Sequence, residues 1–215
     1  MTGLPGKFIV FDGTEGCGKS TQARLLRQRV VDDTSLGLSA DDVLLVRDPG
    51  TTGIGEKVRA ILLDPANAEM AMRCEMLLYM AARAQMMVQS ILPALEAGKL
   101  VICDRFVSST LAYQLGGDGL TAADIRAVAG IAIRGRWPDL TILLEMPAER
   151  SMARVRRDKD RIEQRPIAYH EQVLRNYLAQ AAEEPDRFRV INADREPEAV
   201  QEDVWRVVTE FSQES

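Results

Sequence analysis

The stretch Phe8-Ile9-Val10-Phe11-Asp12-Gly13-Thr14-Glu15-Gly16-Cys17-Gly18-Lys19-Ser20-Thr21 sets a G-x-x-x-x-G-K-S loop between an apolar, strand-like run and a helical segment. That is the context a phosphate cradle requires. Gly13 and Gly18 let the backbone curl so that successive N–H groups point into one concavity. Lys19 can then reach the β- and γ-phosphates, and the Ser20 hydroxyl can ligate Mg²⁺. A nucleoside triphosphate is the implied ligand, with Gly13, Gly16, Cys17, Gly18, Lys19, Ser20 and Thr21 as its candidate contacts.

Outward from this loop, short apolar runs at 7–12, 43–47, 100–104, 140–145 and 189–192 alternate with helix-length segments. Such alternation predicts an α/β fold with a parallel sheet and crossover helices. Ligands of such sheets sit beyond the carboxyl ends of the strands, which directs attention to 12–20, 47–53, 104–114 and the residues after Glu145. The longest helix is expected over 69–97, where Met72, Met76, Met80, Ala84, Met87, Ile91 and Leu95 recur at three- and four-residue spacing. These methionines read as packing, some of it at a subunit contact. Pro93 should kink the last turns, and Gly98 should end them. The segment 32–42 reads as a plain surface loop.

The composition narrows the function. With 215 residues, 46% of them hydrophobic, the chain can bury the core of one domain spanning 1–215. A formal charge of −5 argues against a general nucleic-acid surface. Three cysteines, at 17, 74 and 103, form no paired or metal-like set, so reduced thiols in a cytoplasmic setting are expected. No charged leader precedes an apolar run and no uninterrupted stretch of about 18 apolar residues occurs, so a soluble, unprocessed protein is expected, without a membrane partner.

The second strand-end motif, Val101-Ile102-Cys103-Asp104-Arg105-Phe106, selects among the uses of a phosphate loop. Asp104 suits Mg²⁺ coordination, and Arg105 can fork onto a phosphate. ATP-driven motors usually place a second carboxylate after that Asp, and no N-K-x-D segment for reading guanine occurs. Phosphoryl transfer is therefore favoured over a switch or an assembly ATPase. Arg47 and Arg105 close two strands, and Arg154, Arg156, Arg157 and Arg161 crowd one later segment. That run alone fits a solvated helix face; with the strand-end arginines it favours phosphate clamping. An acceptor that is itself a phosphate monoester needs no general base. His170 is the only histidine, remote in sequence from every strand end, and reads as structural.

With these motifs in place the chain resembles the thymidylate kinases, phosphate-loop enzymes that pass the γ-phosphoryl of ATP to dTMP. The resemblance covers nearly the whole chain. It rests on 12–21, on Arg47-Asp48-Pro49-Gly50, on Leu78-Tyr79-Met80-Ala81-Ala82-Arg83, on 104–114 and on Asp160-Arg161-Ile162-Glu163. It implies a P-loop NTPase fold, a three-layer α/β/α arrangement with a five-stranded parallel sheet and a short arginine-rich lid at about 150–165. It also implies a homodimer, with Mg²⁺ at Ser20 and Asp104.

Site roles follow from the same resemblance. Tyr79 would stack on thymine and Arg83 would donate to its O4. Thr110 and Gln114 would meet base and sugar, and Tyr113 would lie against C2′ of the deoxyribose. Glu15 would approach the 3′-hydroxyl and the metal, Arg47 and Arg105 would clamp the acceptor phosphate, and Lys19 and Arg156 would supply catalytic cations. Asp12 and Asp48 stand where the family commonly has Glu, Tyr79 where it has Phe, Phe106 where it has Tyr or His, and Thr51 where it has Gly. Another nucleoside monophosphate kinase or a deoxynucleoside kinase is the nearest alternative.

Overall fold

A strand that returns to its neighbour in the same direction needs a crossover of helix length, and this chain supplies one between every pair of apolar runs. A computed structural model describes residues 3–156 and 158–214. In chain order its elements are β1 (Phe8–Asp12), α1 (Lys19–Asp32), β2 (Val43–Arg47), α2 (Gly53–Leu63), α3 (Met72–Met86), α4 (Leu92–Glu96), β3 (Leu100–Asp104), α5 (Val107–Gln114), α6 (Ala122–Ala132), β4 (Leu140–Glu145), α7 (Ala148–Ala153), α8 (Ile167–Glu183), β5 (Phe188–Asn192) and α9 (Pro197–Glu214). The expected strands match to within one residue at each end. The segment expected to be a plain loop contains two 3₁₀ turns, Thr34–Leu36 and Ala40–Asp42. Asp33 accepts from the Ser35 amide at 3.0 Å and Asp42 from the Ser39 amide at 2.9 Å, so short polar side chains satisfy the turn ends.

The five strands form one parallel sheet in the order β2-β3-β1-β4-β5. Alternate residues of β1 enter opposite cores, as the strand period demands. Ile9 and Phe11 pack with Leu26 and Val30 of α1 and Val204 and Val208 of α9. Phe8 and Val10 pack with Met80 and Met86 of α3, Leu111 of α5 and Ile125 of α6. Helices thus cover both faces. The register sets Asp104 opposite both Arg47 and Phe11, so the polar ends of β1, β2 and β3 lie side by side.

The long helix begins at Met72 rather than 69 and is broken differently from expectation. Five residues, Met87–Ile91, form a π-helical turn before α4, with the Leu92 amide donating to the Met87 carbonyl. Pro93 has no N–H and its ring crowds the preceding turn, and the widened turn makes room for it. Gly98, at φ 73°, ends the segment as expected, its amide donating to the Leu95 carbonyl at 2.9 Å.

Candidate active site

In the loop between β1 and α1, two glycines stand where any other residue would displace a neighbour. Gly13 has φ 140°, and a Cβ there would lie 2.5 Å from the Leu144 carbonyl oxygen. Gly16 has φ 75°, and its Cβ would strike the Ser151 backbone of α7. The Lys19 ammonium curls back over the loop, donating to the Thr14 carbonyl at 2.5 Å with Cys17 Sγ at 3.6 Å. Ser20 donates its hydroxyl proton to Asp104 at the end of β3.

Arg105 follows Asp104 in the left-handed region, at φ 70°, which turns its side chain back over the loop. It donates to the Gly13 carbonyl at 3.0 Å, to Ser109 at 3.1 Å and to Glu15 Oε1 at 2.9 Å. The Tyr113 phenol donates to the other oxygen of Glu15 at 2.5 Å. Burial alone would raise the Glu15 carboxyl, but Arg105, His170, Lys19 and Tyr113 outweigh it and hold the group well below the usual carboxylate range. Asp12, fully buried beneath, accepts from Ser108, from Ser109 at 2.5 Å and from Tyr177 at 3.0 Å. Burial raises its carboxyl despite these bonds.

Beside this lies a cleft whose lining includes Tyr79, Arg83, Thr110, Tyr113 and Gln114. Arg83 lies on the inward face of α3 with Met76 and Met80. It is 1% exposed and ion-paired with Asp48 at 2.5 Å. It also donates to the Phe106 carbonyl at 3.0 Å, Met80 Sδ at 3.1 Å and Thr110 Oγ1 at 3.3 Å. Burial pushes the Asp48 carboxyl up, opposed by Arg83. Tyr79 is half-buried on the same cleft, its phenol pKa raised by burial. A second, more polar cleft runs from Lys19 and Ser20 to Arg47 and Arg105, and both clefts share Glu15, Asp48, Tyr79 and Arg105.

Thr51 occupies the usual glycine position at φ 67°, an unfavourable conformation for a β-branched residue. Its hydroxyl offsets part of that cost by accepting from the Arg47 amide at 2.9 Å and donating to the Arg47 carbonyl at 3.1 Å. The Arg47 side chain is half-exposed and bridged to Glu56 at 3.1 Å.

The structure separates the later arginines. Arg156 is exposed and outside both clefts, and Arg157 lies outside the described residues. Arg154 lies 3.8 Å from Asp194. Arg161 is not part of a phosphate clamp. It is 5% exposed, donates to the Leu62 carbonyl at 2.8 Å and pairs with Glu75 at 2.5 Å. A buried guanidinium with fixed partners is a packing element.

Three participants escaped the sequence reading. Arg59 of α2 lines the polar cleft with Arg47 and Arg105, and burial and Arg47 both depress its pKa. Tyr177 of α8 donates to Asp12 and accepts from Arg105 at 3.2 Å. His170, 1% exposed, brings Nδ1 to 3.7 Å from Glu15, so the histidine remote in sequence is adjacent in space. Helical periodicity marks the inward faces of α2 and α8 but carries no signal of which strand end they meet.

The thymidylate kinase family model matches residues 11–204. A thymidylate kinase of Alcanivorax borkumensis is 43% identical over 210 residues, 97% of this chain and 98% of the relative. One from Desulforudis audaxviator is 40% identical over 212 residues, 98% of this chain and 94% of the relative. The crystal structure of thymidylate kinase from Ehrlichia chaffeensis superposes with a TM-score of 0.75 at 29% identity, covering 94% of this chain and 98% of that one. Phosphate loop, strand-end arginines and sheet order thus coincide with a match over almost the full length, and the chain belongs to the thymidylate kinase family, enzymes built on the P-loop NTPase fold.

Proposed function

We propose that this protein transfers the γ-phosphoryl group of ATP to dTMP, giving dTDP. The observation that carries the reading is the joining of the two clefts, one lined by the phosphate loop and three arginines, the other by aromatic and amide side chains of base-binding character. Arg47, Arg59 and Arg105 bring three positive charges to one cleft, where burial first and Arg47 second depress the Arg59 pKa, and an anionic acceptor phosphate offsets that accumulation of charge. Lys19 then holds the donor phosphates, Tyr79 and Gln114 hold the base, and Tyr113 bounds the sugar. Such positioning and charge neutralisation account for most of phosphoryl-transfer catalysis.

The Ser20 hydroxyl and Asp104 carboxylate are adjacent oxygen donors, the set that suits Mg²⁺ bound together with phosphates. When bound, the ion neutralises charge on the β- and γ-phosphoryl oxygens. A deoxynucleoside kinase would need a carboxylate base, but Asp48 is bound to Arg83 and Glu15 is held ionised by Arg105. A carboxylate held well below the usual range, as Glu15 is, is a weak base. The test is a panel of nucleoside monophosphates with ATP and Mg²⁺. A preference for dTMP over thymidine and over the other monophosphates is expected, and turnover independent of any monophosphate would overturn the reading.

We further propose one kinase domain over 1–215 with a lid at about 150–165, working in the cytoplasm as a homodimer. Ile54 and Ile61 of α2, Leu77 of α3 and Val88 of the π turn are exposed, and a second copy would cover them. No helix among the described residues is long and apolar enough to cross a membrane. Light scattering checks the dimer, and a monomer at micromolar concentration would refute it.

A further inference from the structure

Glu75 of α3 is fully buried against the segment before α8 and touches three donors. Its Oε2 accepts from Arg161 at 2.5 Å and Arg165 at 3.3 Å, and its Oε1 accepts from Gln114 Nε2 at 2.7 Å. A carboxylate held by two guanidinium groups acts only as an acceptor, so the Gln114 amide has to present its NH₂ to it. Its carbonyl oxygen is left buried and without a partner at a residue lining the cleft that also holds Tyr79 and Tyr113. A buried acceptor in that state gains a partner when a bound ligand brings a donor such as N–H to the cleft.

We infer that Glu75, by fixing the Gln114 amide, makes the site select pyrimidines that carry a ring N3–H, those of the thymine and uracil type, over cytosine. Thymine and uracil present that N–H between two carbonyls. Cytosine presents a bare N3 lone pair, which would face the Gln114 oxygen. Turning the amide over to suit cytosine would set the same oxygen against Glu75 Oε1, so the ion pairs behind Gln114 oppose the wrong base. Glu75 acts here as a positioning residue. It does not reach the cleft, and its effect passes through Gln114.

The inference rests on the dTMP kinase reading, and the test keeps the two apart. The kcat/KM values for dUMP and dCMP are compared in the wild type, in Glu75→Gln, in Gln114→Leu and in the double variant, with the KM for ATP as control; both substrates lack the 5-methyl group. Failure of the wild type to prefer dUMP would defeat the functional reading itself. Given that preference, Glu75→Gln, whose amide can face Gln114 either way, is expected to lower the dUMP-to-dCMP ratio by about tenfold or more, mainly through the KM of the monophosphate. The double variant is expected to fall no further than Gln114→Leu alone. Where Glu75→Gln does not fold, Glu75→Asp keeps the charge beside Arg161 and Arg165 while withdrawing the oxygen from Gln114, and the same fall is expected. A ratio within about twofold of wild type in a folded variant, or equal losses for dUMP, dCMP and ATP, would overturn the inference.

Discussion

The Tyr113 phenol donates to Glu15 Oε2 at 2.5 Å while Arg105 holds Oε1 at 2.9 Å, so one carboxylate of the phosphate loop is fastened from both sides by residues of the β3–α5 segment. The ring and the hydroxyl of Tyr113 therefore have separable tasks.

Tyr113→Ala is expected to narrow the preference for dUMP over UMP, because the ring fills the space a 2′-hydroxyl needs. Tyr113→Phe keeps the ring and is expected to keep that preference, while lowering kcat through a less firmly held Glu15. The loss of one such hydrogen bond corresponds to about 1–3 kcal/mol. The measurement is the ratio of kcat/KM values for the two acceptors in each variant. Equal ratios in wild type and the alanine form would place sugar discrimination elsewhere.

Glu15 also makes stability depend on pH with a defined sign. Its carboxyl is held below the ordinary value in the folded protein, so its contribution is complete above the unfolded value of about 4.3 and is lost as pH falls below it. Unfolding of the wild type by urea is compared with that of Glu15→Gln between pH 7 and pH 3. The wild type is expected to lose its advantage on the acid side, and parallel profiles would contradict the assignment.

The Asp48–Arg83 pair, each side chain 1% exposed, is a different case. Asp48→Ala leaves a buried guanidinium without its counter-charge, which costs about 3–5 kcal/mol. For a chain of this size that is a fall in Tm of roughly 6–20 °C. Replacing both, as Asp48→Leu with Arg83→Met, is expected to recover much of the stability and none of the base recognition. A single variant that melts like wild type would show that the pair is not buried in solution.

Arg156 is exposed in the segment joining α7 to α8, so a catalytic role requires that segment to close over bound nucleotides. Arg156→Ala is expected to lower kcat more than it raises the KM for dTMP, the pattern of an interaction made in the transition state. If kcat is unchanged in this variant and in single replacements of Arg154 and Arg157, the run is a solvated face.

Strand ends and the phosphate loop were legible in the chain itself because their physics is local. Apolar runs such as Leu100 to Asp104 can bury both faces only in a covered parallel sheet, and glycines at 13, 16 and 18 permit the positive φ the loop needs. Contacts that complete the site are of another kind. Glu15 meets His170 across 155 residues, Arg105 meets Tyr177 across 72, and Glu75 turns Arg161 from an apparent phosphate ligand into a buried brace. Periodicity states which face of a helix turns inward but not what that face meets. The partner is chosen when α2, α3 and α8 dock on the sheet, so the identity of Arg59, the setting of His170 and the orientation of Gln114 were decided by the tertiary structure alone.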